Sequence, residues 1–68
     1  MNPIDFAIAE HYKNVEGAIN YLVGLYEDDV DISNPFIIDR VLASYGLDDD
    51  GFESEREYII KEVNKRIR

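Results

Sequence analysis

The chain has 68 residues, no cysteine, one histidine and a formal net charge of −8 at pH 7. Chains this small often depend on disulfides, a metal or a partner for stability, and the composition excludes disulfides and makes a structural zinc site a poor expectation. Because 46% of the residues are hydrophobic, as in folded globules, we expect a single helical domain over residues 1–68 rather than a disordered chain.

The first part of the chain predicts one long amphipathic helix. Asn2 followed by Pro3 is typical of a helix N-cap and first helical residue. Asn14 and Gly17 are weak helix formers, so the helix could divide near Asn14. We favour a continuous helix, straight or kinked, because one apolar stripe keeps its helical phase throughout. The stripe consists of Ile4, Ile8, Tyr12, Val15, Ile19, Leu22 and Tyr26.

A second, shorter helix is expected over about residues 35–45. Either Ser33 or Asn34 can cap its N-terminus, directly before Pro35. Gly46 is the natural residue to end it, because glycine readily adopts the left-handed conformation that follows many helices. Its inner face carries Ile37, Ile38, Val41, Leu42 and Tyr45.

A third helix should begin near Asp50 or Ser54. Asp50 with Glu53 and Ser54 with Glu57 both match the spacing of a capping box. Glu62 and Arg66 are spaced for a favourable pair within the helix. Its inner face consists of Phe52, Ile59, Ile60, Val63 and Ile67. With no strand required, the predicted fold class is all-α: a small bundle of three helices, or four if the first divides near Asn14.

The residue types argue against an enzyme. His11 lies beside the apolar stripe, where a packed or partly exposed histidine is expected, and its spacing from the serines suggests no catalytic group. The turn at residues 48–51 resembles part of a calcium loop, but the first ligand position would be Gly46 instead of an acid. We therefore predict no catalytic residue, no metal site and no cofactor.

Charge is unevenly distributed and limits the class of partner. Residues 1–55 carry thirteen acids and two bases, whereas residues 56–68 carry five bases and two acids. A surface this negative repels nucleic-acid phosphates and anionic lipids, so we expect neither direct nucleic-acid binding nor membrane binding. It would attract a protein with a basic surface. No leader segment or membrane-spanning stretch is recognisable in the sequence, which favours a cytoplasmic location.

Two acidic clusters are the candidate binding residues. The first lies at the C-terminal end of the first helix, where the helix dipole disfavours negative charge, so local stability does not explain it. A solubility-promoting loop is the equally weighted alternative. The full set of candidate residues is Tyr26, Glu27, Asp28, Asp29, Asp31, Asp48, Asp49 and Asp50.

These features favour a non-catalytic protein-interaction module whose acidic face engages a basic site on a partner. One form would be a nucleic-acid mimic, and the size and acidity are similar in type to the small inhibitor proteins of phages and other mobile elements. The alternative is a structural or regulatory adaptor that docks through a hydrophobic helix face. Such an adaptor could be a homodimer joined along the part of the stripe formed by Ile8, Tyr12, Val15, Ile19, Leu22 and Tyr26.

Overall fold

The computed structural model describes residues 2–67. It contains three α-helices, α1 (Pro3–Glu27), α2 (Pro35–Ser44) and α3 (Glu53–Arg66), and a single 3-10 turn at Asp50–Phe52 leads into α3. No strand occurs within residues 2–67. The predicted all-α bundle of three helices is confirmed, and α1 runs through Asn14 without dividing.

Side-chain caps fix where α1 and α2 begin. Asn2 Oδ1 accepts a hydrogen bond from the Ile4 amide at 2.9 Å, and Asn34 Oδ1 accepts one from the Phe36 amide at 2.9 Å. Each asparagine is followed by proline, whose missing N–H would have no partner in the first turn. Of the two residues proposed to cap α2, Asn34 is therefore the cap.

The end of α2 follows the prediction for Gly46. Gly46 has φ of +70°, in the left-handed region, and the Leu47 amide donates to the Leu42 carbonyl at 2.8 Å. This is the Schellman arrangement, in which the amide of a residue just past the helix donates to a carbonyl of the last helical turn. Leu47 and Leu42 are both buried, so the turn also contributes to the core.

α3 begins near the predicted position, but neither of the predicted capping boxes forms. The helix begins at Glu53, and neither Asp50 nor Ser54 caps it through its side chain. The Phe52 amide instead donates to the Asp49 carbonyl at 3.0 Å, closing the 3-10 turn. Phe52 packs against the core, so the turn is also joined to the rest of the bundle.

α2 and α3 both pack against α1. The chain runs along α1, returns along α2 and runs again in the direction of α1 along α3, so that α3 begins beside His11 and ends beside Asn20. The core lies along one face of α1 and is closed by α2, α3 and Leu47. Its buried members are Val15, Ala18, Ile19, Leu22, Ile38, Val41, Leu42, Leu47, Ile59 and Val63.

The helices differ in length, and this leaves part of α1 uncovered. α1 has 25 residues, whereas α2 has 10 and α3 has 14. Burial by the bundle begins at His11, and residues 3–10 are all exposed. We call residues 3–10 the N-terminal arm. The molecule is accordingly elongated, with principal extents of 41 × 22 × 17 Å.

Gly17 allows α2 to approach α1 closely. A Cβ atom added at Gly17 would lie 2.7 Å from Tyr45 Cε1, whereas one added at Gly24 would meet nothing within 4 Å. Gly24→Ala should therefore raise the free energy of unfolding by up to about 1 kcal/mol through helix propensity. Gly17→Ala should lose that gain, or become destabilising, because the Tyr45 ring must move.

Urea denaturation of both variants tests this contrast. The two glycines lie in the same helix and undergo the same change, so Gly24→Ala is the matched control for Gly17→Ala. Equal gains in the two variants would contradict the packing of Tyr45 against α1.

Candidate interaction surfaces

The first acidic cluster lies where α1 ends and the chain turns towards α2. We call Glu27, Asp28, Asp29 and Asp31 the acidic connection. All four are exposed, and none forms an ion pair with a cation among the described residues. Tyr26 precedes them and is itself 46% exposed. The structure thus brings together five of the eight predicted binding residues on one open turn.

Asp29 adopts an unusual backbone conformation for a residue with a side chain. Its φ is +65°. Its amide donates to the Tyr26 carbonyl at 3.1 Å, and the Val30 amide donates to the Leu25 carbonyl at 2.9 Å, which is again the Schellman arrangement. Glycine is the commonest residue at this position because a Cβ atom generally costs about 1–2 kcal/mol there, and asparagine and aspartate are the side-chain-bearing residues that tolerate it best. Asp29 also adds negative charge at the negative end of the α1 dipole.

Asp31 helps to shape the start of α2. Its Oδ1 accepts hydrogen bonds from both the amide and the hydroxyl of Ser33. Both hydrogen bonds lower the pKa of Asp31 below its ordinary value, and the bond from the Ser33 hydroxyl has the larger effect. A lowered pKa in the folded state stabilises the fold above the ordinary pKa of aspartate, and this contribution is lost as the pH falls through the lowered value.

We predict that Asp29→Gly stabilises the fold. Glycine adopts a positive φ without a Cβ penalty, and the substitution also removes an unfavourable charge, so the free energy of unfolding should rise by about 1 kcal/mol. Asp29→Asn is the control, because asparagine tolerates the left-handed region and removes only the charge. Its gain in urea denaturation should be smaller. A destabilised Asp29→Gly variant would contradict the left-handed conformation of Asp29.

The second acidic cluster lies at the opposite end of α2. Asp48, Asp49 and Asp50 are exposed and line a shallow depression together with Asp39 and Arg56. Ten helical residues separate the two clusters, a rise of about 15 Å. The eight predicted residues therefore form two patches instead of one. Within residues 2–67, no group of three or more potential ligands could hold a metal ion.

Two arginines of α3 form ion pairs with acidic residues of the other helices. Arg56 pairs with Asp39 of α2, and Arg66 pairs with Glu16 Oε1 of α1 at 2.8 Å. The expected pairing of Arg66 with Glu62 is thus replaced by a link between helices. The hydrogen bond with Glu16 raises the pKa of Arg66. Arg68 lies outside the described residues.

His11 is packed and also partly exposed, in line with what the sequence suggests. Its ring stacks on Phe52 with a centroid distance of 5.7 Å, and its Nε2 lies 3.5 Å from Glu55 Oε1. These contacts join α1 to the start of α3. His11 therefore marks the end of the bundle, beyond which the arm projects.

The structure divides the stripe that was proposed as a dimer seam. Val15, Ile19 and Leu22 are buried against α2 and α3, so a seam along the whole stripe is wrong. Ile4 and Ile8 on the arm remain 68% and 49% exposed. Tyr12 and Tyr26 also remain exposed, so neither is a core residue. The apolar face of α1 is therefore free only on its N-terminal part.

An apolar groove lies between α2 and α3, with α1 as its floor. Its volume is about 530 Å³, and Asp31 and Arg56 are the charged residues on its walls. We call it the α2–α3 groove. Sequence reasoning missed it, because helical periodicity does not show how two helices pack beside each other. The apolar side chains lining it include Tyr26, Val30, Ile32, Ile38, Ile60 and Ile67.

Comparison with protein-family models, with curated proteins and with solved structures finds no match to this chain. Among the described residues, no helix has both the length and the apolar character needed to cross a membrane. The fold and the two kinds of exposed surface, acidic and apolar, are therefore the basis for inferring function.

Proposed function

We propose that this chain is a non-catalytic protein-interaction module whose acidic connection engages a basic site on a partner protein. The observation that carries the proposal is the conformation of Asp29. It combines a positive φ with a negative charge at a helix C-terminus, and both are unfavourable for folding. Residues that are costly to the fold are found most often where a function requires them.

The surroundings of Asp29 support the same proposal. Glu27, Asp28 and Asp31 lie within two residues of it, are exposed and have no ion-pair partner among the described residues. Their charges are therefore open to a partner's lysine or arginine side chains. Tyr26 adds an amphipathic ring of the kind that is enriched in interfaces.

The two acidic patches also suit the more specific form of the proposal, a nucleic-acid mimic. The acidic connection and Asp48–Asp50 lie at the two ends of α2, about 15 Å apart along the helix. Separated groups of negative charge on a rigid support resemble the phosphates that a nucleic-acid-binding protein recognises. We propose a cytoplasmic setting for this activity, of the kind in which phage-type inhibitors act.

The experiment that tests the proposal is a pull-down with tagged protein from a lysate of the organism that encodes it. The lysate is treated with nuclease, and bound proteins are eluted in steps of rising salt and identified by mass spectrometry. We expect a basic protein to elute at moderate salt, because exposed charge pairs are screened over about 10 Å at 0.1 M salt. Partners that resist high salt, with none eluting earlier, would contradict electrostatic recognition.

A second candidate function is a helix-docking adaptor, and the exposed Ile4 and Ile8 favour it. An amphipathic helix face can pack into an apolar groove on another protein. Such binding would depend on buried apolar area and would change little with salt. The stepped elution therefore distinguishes the two candidates.

A further inference from the structure

We infer that two copies of this chain associate by placing the N-terminal arm of each in the α2–α3 groove of the other. The groove shares Tyr26 and Asp31 with the acidic surface proposed above, and the opposite salt dependence of the two associations distinguishes them. The inference rests on the direction of the arm, on the groove, on the exposed area and on the distribution of charge.

The arm presents its apolar side chains in the same direction as the core face of α1. Ile8 and Ile4 precede Val15 by about two and three helical turns, so all three lie on one face. Val15 is buried by the bundle, whereas Ile4 and Ile8 extend past its end. Phe6 lies about two and a half turns before Val15 and so is on the opposite face.

The arm cannot reach the groove of its own chain. It is the first part of a continuous 25-residue helix, and the groove lies beside Leu22 and Tyr26 near the other end of that helix. About 18 residues, or 27 Å of helix, separate Ile4 from Leu22. Any arm that enters this groove must therefore come from another molecule.

A second copy satisfies both surfaces at once. When it is turned by 180° about an axis perpendicular to α1, its α1 runs antiparallel and its groove faces the arm of the first copy. The same rotation brings its own arm to the first groove, because a two-fold interface is reciprocal. The α2 and α3 helices of the two copies would then lie end to end between the two α1 helices.

The exposed area is of the size that such an interface requires. The chain exposes 5079 Å², compared with about 4,400 Å² expected for a compact monomer of this length. The excess of roughly 700 Å² is close to the 800 Å² that each partner buries in a standard interface. A chain near the lower size limit for independent folding would gain stability from this burial.

Few charged side chains lie on the two faces that would pair. The groove walls carry Asp31 and Arg56, and Arg56 is already paired with Asp39 of α2. On the arm, Asp5 and Glu10 lie off the face of Ile4 and Ile8. The remaining surface of each copy carries most of the net charge of −8. Association should therefore strengthen as salt screens the repulsion between the two chains, whereas binding to a basic partner should weaken.

Sedimentation analysis of the purified full chain tests the association. We expect a monomer–dimer equilibrium that shifts towards the dimer between low and moderate salt. Ile8→Ser should raise the dissociation constant by about a hundredfold, because the substitution removes buried apolar area at two symmetry-related places. Phe6→Ser, on the opposite face of the same arm, is the matched control and should leave the constant unchanged.

Two results would overturn the inference. One is a wild-type chain that remains monomeric up to about 1 mM, where even an association of only 4 kcal/mol would be visible. The other is an equal effect of Ile8→Ser and Phe6→Ser. Circular dichroism checks that each variant is folded. Both changes are at exposed positions, so the fold should be kept.

Disulfide trapping tests the position of the arm, because the natural chain contains no cysteine. An Ile8→Cys chain is mixed with an Asn64→Cys chain, since Asn64 is exposed and lines the groove. Oxidation should yield the mixed disulfide dimer as the main product, as the bond forms only between Cα atoms about 4.4–6.8 Å apart. A mixture of Phe6→Cys and Asn64→Cys should link poorly. Preferential linking of Ile8→Cys to itself would show that the arms pair with each other and would overturn the groove assignment.

Discussion

Ile59→Ala should remove a large part of the free energy of unfolding and lower the melting temperature sharply. Ile59 is fully buried and lies in the core between α3 and α1. Removing three carbon atoms from such a site typically costs 2–5 kcal/mol, through lost burial and the remaining cavity. A chain of 68 residues has a total stability of about 3–10 kcal/mol. The loss is therefore a large fraction of the free energy of unfolding.

Thermal denaturation followed by circular dichroism checks this expectation. Ile4→Ala is the matched control, because it makes the same chemical change at a position that is 68% exposed. In dilute protein, where the chain is monomeric, the control should melt within a few degrees of the wild type. An Ile59→Ala variant that melts equally close to the wild type would contradict the placement of Ile59 in the core.

The parts of the fold that could be predicted are the helix ends and the helix continuity that depend on neighbouring residues in the sequence. Asn2 and Asn34 cap helices through contacts two residues away, and Gly46 ends α2 through its own backbone conformation. Each depends only on neighbouring residues, so each can be recognised in the sequence. The continuity of α1 through Gly17 could also be predicted, because the apolar stripe keeps its phase on both sides.

The missed features depend on contacts between distant parts of the chain. The capping boxes expected for α3 are replaced by a 3-10 turn whose Phe52 packs against the core, and Arg66 pairs with Glu16 of α1. The helical spacing of apolar residues is also the same for a face that packs against the rest of the chain and for a face that is exposed. It therefore could not distinguish Ile8, which is exposed, from Ile19, which is buried.

The candidate site was predicted in composition but not in geometry. Counting charge identified both acidic clusters, yet it could not show that they lie at opposite ends of α2. The left-handed Asp29 was also missed, although Leu25 and Val30 are the apolar pair that commonly accompanies a Schellman turn. Leu25 lies four residues before Asp29 and Val30 one residue after it, and this spacing was the signal in the sequence for a Schellman turn.

Neutralising the acidic connection should have the largest effect on recognition. In the triple variant Asp28→Asn, Asp29→Asn and Asp31→Asn, each side chain keeps its shape and loses its charge. We expect affinity for the basic partner to fall about a hundredfold at low salt, if each lost charge pair contributes about 1 kcal/mol. The salt dependence of binding should flatten at the same time, because fewer charges remain to be screened.

The triple variant should keep its fold, which makes the loss of affinity interpretable. Asparagine tolerates the left-handed conformation at position 29. At position 31, the side-chain oxygen of asparagine can still accept the hydrogen bonds that Ser33 donates to Asp31. The matched control neutralises Asp48, Asp49 and Asp50 in the same way. Since the strained Asp29 lies only in the acidic connection, this control should weaken binding less, as measured by calorimetry with the identified partner. Equal losses would show that both patches bind, as in an extended mimic, whereas unchanged affinity in both variants would assign the acids to solubility alone.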